Sequence, residues 1–214
     1  MLYIHRFVFN PFQENTYVIY NESNKCIIVD PGCYTEEEQE QLVRFIDENK
    51  LEPVYLLNTH CHIDHILGNQ FVAERWALPL YIHQEELPLL QAGPKIAEKY
   101  GFDFKPYTGN VLFISEKDTI ALDSDEFTIL FTPGHSPASL SFYNGENSLL
   151  ISGDTLFSGS IGRTDLPGGD YGTLETSIRT QLYTLPDNTK VYSGHGQGTS
   201  IGYEKRNNPF VQEN

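Results

Sequence analysis

Residues 59–65 read Thr59-His60-Cys61-His62-Ile63-Asp64-His65, which places three imidazoles and a carboxylate within six consecutive positions. Packing gives no reason for such density. Imidazole nitrogen and carboxylate oxygen are the donors that zinc, iron and manganese accept, whereas structural zinc sites lean on thiolates. Three more donors follow apolar runs. Phe127–Phe131 leads into Thr132-Pro133-Gly134-His135, Leu149–Ile151 into Ser152-Gly153-Asp154, and Val191–Ser193 into Gly194-His195. The chemistry within reach is that of a metal-bound water, since a divalent cation lowers the pKa of water it binds from about 15.7 to about 7. Such a chain needs no nucleophilic Ser or Cys.

Five of the seven histidines fall in these positions, leaving only His5 and His83 outside. A lone histidine is more often a hydrogen-bonded core or surface residue than a ligand; clustering reverses those odds. Asp30, in Val29-Asp30-Pro31-Gly32, also ends an apolar run and reads as a residue that orients a ligand histidine, with a simple turn Asp nearly as good a reading. Cys61 lies between two donors and reads as a buried neutral thiol, because thiolate softness would disturb a nitrogen and oxygen site.

The elements that must position these residues show in the periodicity. Alternation through Leu2–Phe9, Thr16–Tyr20 and Cys26–Val29 predicts an antiparallel meander. Thr35 with Glu38 fits a capping box, opening a helix that carries Leu42, Val43, Phe45 and Ile46 and ends near Lys50. Strands are expected at Val54–Leu57 and Leu80–Ile82, a helix at 70–77, and two small helices at 84–91 and 94–100. Further strands fall at 118–122, 126–131, 139–143 and 148–151. Leu174, Ile178 and Leu182 mark a last helix and Lys190–Ser193 a last strand. Strands precede helices in each half, and one domain over residues 1–214 is expected. Four strand ends then converge on donor side chains, the place where ligands gather in α/β architectures. Gly134, Gly153 and Gly194 would allow the tight turns required. The glycines from 159 to 172 read as a long loop near the site.

Lys plus Arg is 14 against 29 Asp plus Glu, a net charge of −15. That field repels phosphate backbones, so nucleic acid is excluded as the expected partner. Three cysteines without CxxC spacing argue against a disulfide framework and for a reducing compartment. No apolar stretch is long enough for a signal peptide or a bilayer span, so no membrane partner is expected and cytoplasm is the expected address.

The pattern His60-x-His62-x-Asp64-His65, then His135, Asp154 and His195 in that order, resembles the metal motif of the metallo-β-lactamase superfamily. The resemblance implies an α/β, four-layer αβ/βα sandwich of two mixed β-sheets flanked by helices. It also implies two divalent metal ions, zinc first, with iron and manganese as alternatives. By position it gives His60, His62 and His135 to one metal and Asp64, His65 and His195 to the other, with Asp154 bridging. Asp64 and Asp154 would be the catalytic carboxylates, working with a metal-bridging hydroxide.

Within the superfamily the chain looks most like the glyoxalase II (hydroxyacylglutathione hydrolase) group in its short bacterial form. The matching segments are Thr59–His65, Thr132–His135, Gly153–Phe157, Gly162–Asp165, Gly194–Gly196 and Gly202–Phe210. Longer members continue into a helical domain that supplies much of their glutathione site. The resemblance implies a thioester hydrolase whose small, anionic substrate is drawn by about one net positive charge, left after Asp64, Asp154 and hydroxide offset two ions. A thiolate leaving group needs no dedicated general acid. Arg163 would clamp a substrate carboxylate, or else pair with Asp165 or Asp170. The rival is a mononuclear iron persulfide dioxygenase, an oxidoreductase on the same fold, with His60, His135 and Asp154 as its ligands. The expected state is monomer or homodimer.

Overall fold

The computed structural model describes residues 1–212, which separate into two compact units, one of residues 1–113 and one that begins at Ile114. In the first unit, strands β1 (Leu2–Phe9), β2 (Glu14–Asn21), β3 (Lys25–Val29), β4 (Glu52–Leu57), β5 (Leu80–Ile82) and β6 (Val111–Phe113) form one sheet in sequence order. The meander β1–β2–β3 is antiparallel, as its alternation predicts, and β3 to β6 run parallel. Parallel strands require crossovers. These are helix α1 (Glu36–Glu48), the short α2 (Ile63–Ile66) with α3 (Asn69–Trp76), and α4 (Leu87–Tyr100).

Helix α1 starts where expected: Thr35 accepts from the Glu38 amide, and the Glu38 carboxylate accepts from the Thr35 amide. Its Glu36, Glu37 and Glu38 sit where the helix dipole favours negative charge. Leu42 and Ile46 turn inward onto Val18, Ile28, Leu56 and Leu80 in the unit's core. Burial of each such side chain stabilises by about 1.5–3 kcal/mol.

The two small helices expected over 84–91 and 94–100 are a three-residue 3₁₀ turn, Gln84–Glu86, running into the single helix α4 with Pro94 inside it. The residue before proline is Gly93, which has no Cβ to clash with the ring, so the helix passes through. Phe104 and Ile66 pack against the space a Gly93 side chain would fill.

In the second unit β7 (Thr119–Leu122), β8 (Asp125–Phe131), β9 (Leu140–Asn144), β10 (Leu149–Gly153), β13 (Lys190–Ser193) and β14 (Thr199–Ser200) form a sheet of order β14-β13-β10-β9-β8-β7. Only β10 and β13 pair in parallel; the other pairs are antiparallel. A hairpin, β11 (Leu156–Phe157) with β12 (Ser160–Ile161), runs into the stretch 159–172 expected to be open loop and places β12 inside it. Leu174, Ile178 and Leu182 are fully buried together with Leu150, Val191 and Ile201. They span α5 (Tyr171–Ser177) and the π-helical turn Ile178–Leu182. This helix and β13 are not the last elements, since β14 and α6 (Ile201–Asn207) follow. Among the described residues no helix is long and apolar enough to cross a membrane.

Candidate metal centre

Each unit carries part of the donor set at the carboxyl ends of neighbouring parallel strands. In the first unit β3 delivers Asp30, β4 delivers the 59–65 segment, and β5 ends beside them, because β3/β4 and β4/β5 are paired in parallel register. Residues 60–62 belong to no helix or strand, and α2 then carries Asp64 and His65.

Asp30, buried and in the left-handed region (φ 49°), is the hub. Its Oδ1 accepts from the Thr59 amide at 2.7 Å and the Asn58 Nδ2 at 3.2 Å. Its Oδ2 accepts from the Thr59 hydroxyl at 2.6 Å and from His65 Nδ1 at 3.1 Å. A hydroxyl that donates to Asp30 has a lone pair left for the His60 Nδ1–H, 3.0 Å away. Both rings are thereby held in the Nδ1–H tautomer, which makes Nε2 the lone-pair nitrogen. The rings of His60 and His62 meet edge to face at 4.8 Å, and those of His60 and His65 lie 4.1 Å apart. Asp30, His60 and His65 together form a buried group with the spacing of metal donors. The Asp30–His65 hydrogen bond marks Asp30 as the one that orients.

Glu14, fully buried, stands behind this network with Oε1 4.0 Å from His65 Nδ1. Burial pushes its carboxyl well above the usual range; His65 pulls the other way and Asp30 adds to the rise. Burial, Glu86 and Asp30 push the Cys61 thiol up too, so Cys61 is a buried neutral thiol, as expected from its neighbours. The two histidines outside the cluster do ordinary work. His5 stacks on Phe45, and His83 accepts from the Glu85 amide at the start of the 3₁₀ turn.

In the second unit β8, β10 and β13 end at the same edge and deliver His135, Asp154 and His195. His135 Nε2 is 3.5 Å and His195 Nε2 is 3.6 Å from the same atom, Asp154 Oδ2. The Nδ1 of His135 donates to the Arg163 carbonyl at 2.8 Å, again leaving Nε2 as the lone-pair nitrogen. The rings of Phe157 and His195 stand nearly perpendicular, 6.3 Å apart. Gly134 (φ 124°) and Gly153 (φ 50°) take the positive φ expected of them, but beside His195 the positive φ falls at Gly196 (72°). Gly162 is required for a different reason: a Cβ there would overlap the Asp154 carbonyl oxygen and crowd His135 Nδ1.

Arg163 makes a bidentate pair with Asp165, 2.7 Å at each contact, and both side chains are exposed. That pairing holds the Asp165 carboxyl down at about 2.

These donors fit a divalent cation. Separations of 3.5–3.6 Å, including His65 Nε2 to Asp64 Oδ2 at 3.6 Å, are too long for hydrogen bonds. They are right for two ligands of one ion, since bonds of about 2.0–2.2 Å set at a tetrahedral angle put their ends about 3.4 Å apart.

Sequence reasoning missed three supports. The Arg163 carbonyl, a backbone acceptor, carries no residue signature. Glu86, buried on the turn after β5, accepts from the Cys61 amide. Glu204, buried on α6, accepts from the Gly159 amide, the Thr199 hydroxyl and Asn208 Nδ2, tying the β11–β12 hairpin to the segment after His195. A carboxylate placed four residues past a short apolar strand was the only available signal for Glu86.

The sequence model of the metallo-beta-lactamase superfamily matches residues 9–195. The hydroxyacylglutathione hydrolase GloC of Haemophilus influenzae is 37% identical over 206 residues, covering 94% of this chain and 93% of its own length. Among solved structures, the BLEG-1 B3 metallo-beta-lactamase superposes with a TM-score of 0.89 at 35% identity, over 98% of this chain and 99% of its own. TTHA1623 in a di-iron-bound form gives 0.86 at 36% identity, over 97% of this chain and 100% of its own. Two mixed sheets with their helices, strand-end histidines and aspartates, and a match across most of the length agree: this chain is a member of the metallo-beta-lactamase superfamily, with that family's fold.

Proposed function

We propose that the chain is a two-metal hydrolase of thioesters, acting on an S-acylglutathione or a related thiol ester. The observation that carries the metal reading is the fixed tautomer of His60, His65 and His135, each with Nδ1 committed to an acceptor. His60, His62 and His135 would hold one ion, Asp64, His65 and His195 the other, and Asp154 both. When bound, two such ions supply hydroxide near neutral pH and a Lewis acid for the substrate carbonyl. Zinc suits the donor set best; iron and manganese accept it too, and the di-iron-bound relative supports keeping iron in the test.

The chain's own residues do the remaining work. Asp30, through Thr59 and directly, keeps the His60 and His65 rings aimed. Asp64 and Asp154 offset charge that would otherwise hold an anionic substrate too tightly. Arg163 has its guanidinium at the surface, and an exposed pair of this kind is readily exchanged for an incoming carboxylate. Similarity to GloC supports a thioester, and expulsion of a thiolate asks for no proton donor.

The test is metal analysis of the purified chain with three assays: thiol release from S-lactoylglutathione, oxygen uptake with glutathione persulfide, and opening of a β-lactam. Two equivalents of metal with thiol release are the expected result. One equivalent of iron with oxygen consumption would establish the dioxygenase instead, and β-lactam opening alone would move the chain toward its lactamase relative.

A further inference from the structure

We propose that Glu86 is the positioning residue for the His60–His62 pair, an inference that rests on the reading of those two imidazoles as metal ligands. Both ligands hang from a short stretch that no helix or strand holds. Its middle amide, that of Cys61, must find an acceptor in the interior, since a buried N–H left unmet is costly. The acceptor is Glu86 Oε2 at 2.9 Å, from a side chain that is 0% exposed.

Topology explains how a residue 25 positions away reaches it. β5 pairs in parallel with β4, and the Asn58 amide donates to the Tyr81 carbonyl, so the turn after β5 lies beside the segment after β4. The peptide that donates to Glu86 joins His60 to Cys61. His62, in extended conformation (φ −67°, ψ 154°), follows directly. Anchoring that one peptide plane restrains the backbone directly at His60 and, through Cys61, one residue further on at His62. Asp30 and Thr59 set the rotation of the His60 ring, while Glu86 sets the backbone from which His60 and His62 project. A carboxylate is also a stronger acceptor than a neutral oxygen, and it is far more polar than a core position beside β5 would otherwise hold.

The experiment uses the full chain in metal-free form, titrated with Zn²⁺ alone, in wild type, Glu86→Gln and Glu86→Leu, with amide hydrogen exchange at Cys61 followed before metal is added. Glutamine keeps an acceptor oxygen in the same place, and leucine removes it. The expected result is that Glu86→Leu folds but loses Cys61 amide protection and binds its weakened Zn²⁺ equivalent about 10–100-fold less tightly, the usual scale for loss of an orienting partner. Glu86→Gln keeps both close to wild type. Should the leucine variant fail to fold, Glu86→Asp draws the acceptor back by one methylene and is expected to show the same two losses in smaller measure. Unchanged Zn²⁺ affinity in the leucine variant, or in the aspartate variant where leucine does not fold, would overturn the proposal while leaving the metal reading intact. So would equal losses in glutamine and leucine variants. A wild-type chain that takes up no Zn²⁺ would instead remove the metal reading itself, and this inference with it.

Discussion

The two units hold their donors in different ways. In the first, three imidazoles and a carboxylate come from one stretch of six residues, and side chains orient them: Asp30 through Thr59 for His60, and Asp30 directly for His65. In the second, the donors arrive singly from three strand ends, and the orienting acceptor for His135 is a backbone carbonyl. A side-chain network can be dismantled by point substitution; a carbonyl stays in place whatever side chain its residue carries. The first unit's donor set is therefore sensitive to the chemistry of its supports, and the second unit's to the path of its backbone, which Gly162 and the buried Glu204 keep tight.

The largest effect is expected where the second unit depends on one side chain. Asp154 Oδ2 faces both His135 and His195, so Asp154→Ala should lower thioester turnover by about 100–1,000-fold, as for loss of a main charge-stabilising group. Circular dichroism of the apoprotein should be unchanged. Near-wild-type turnover would remove Asp154 from the centre.

A smaller, sharper contrast separates the two modes of support. Asp30→Ala should weaken Zn²⁺ binding about 10–100-fold, because two rings lose their orienting partner. Arg163→Ala should leave Zn²⁺ affinity unchanged, since its carbonyl remains, while raising KM for an anionic thioester with little change in kcat. If Arg163→Ala weakened Zn²⁺ binding as much as Asp30→Ala, the distinction between side-chain and backbone support would fail.

The smallest effect concerns a histidine away from the centre. Every histidine of the second unit is a candidate ligand, but His5 of the first lies on the meander, stacked on Phe45 at 4.0 Å, and burial lowers its pKa from 6.5. The folded state then binds fewer protons than the unfolded one, so this contribution to stability is present above pH 6.5 and is lost as pH falls through the folded value. Thermal unfolding of the apoprotein across that window should show a dependence that His5→Phe flattens. An unchanged slope would mean that other groups carry it.

Legibility in the sequence followed the same division. The 59–65 cluster and the three isolated donors stood out because residue type and strand-end position carry the signal. Asp30 was visible for the same reason, although a turn Asp explained it nearly as well until its hydrogen bonds were seen. The meander and the capping box were readable from local pattern alone. The Arg163 carbonyl was not, because any residue supplies one. Glu86 reads in sequence as one more polar position beside a helix, and only the parallel pairing of β4 with β5 gives it a role. The continuous helix α4 was hidden by Pro94, whose effect Gly93 relieves. The two-residue strands of the β11–β12 hairpin and β14 were too short to show any period.

The proposed assignment gives His60 and His135 to the same ion, and Zn²⁺ stoichiometry in single and double variants tests it most directly. His60→Ala and His135→Ala should each lower the number of tightly bound equivalents from two to one, and the double variant should still bind one, because both changes remove the same ion. If each single variant lost a different equivalent and the double variant bound none, the proposed assignment of His60 and His135 to one ion would be contradicted.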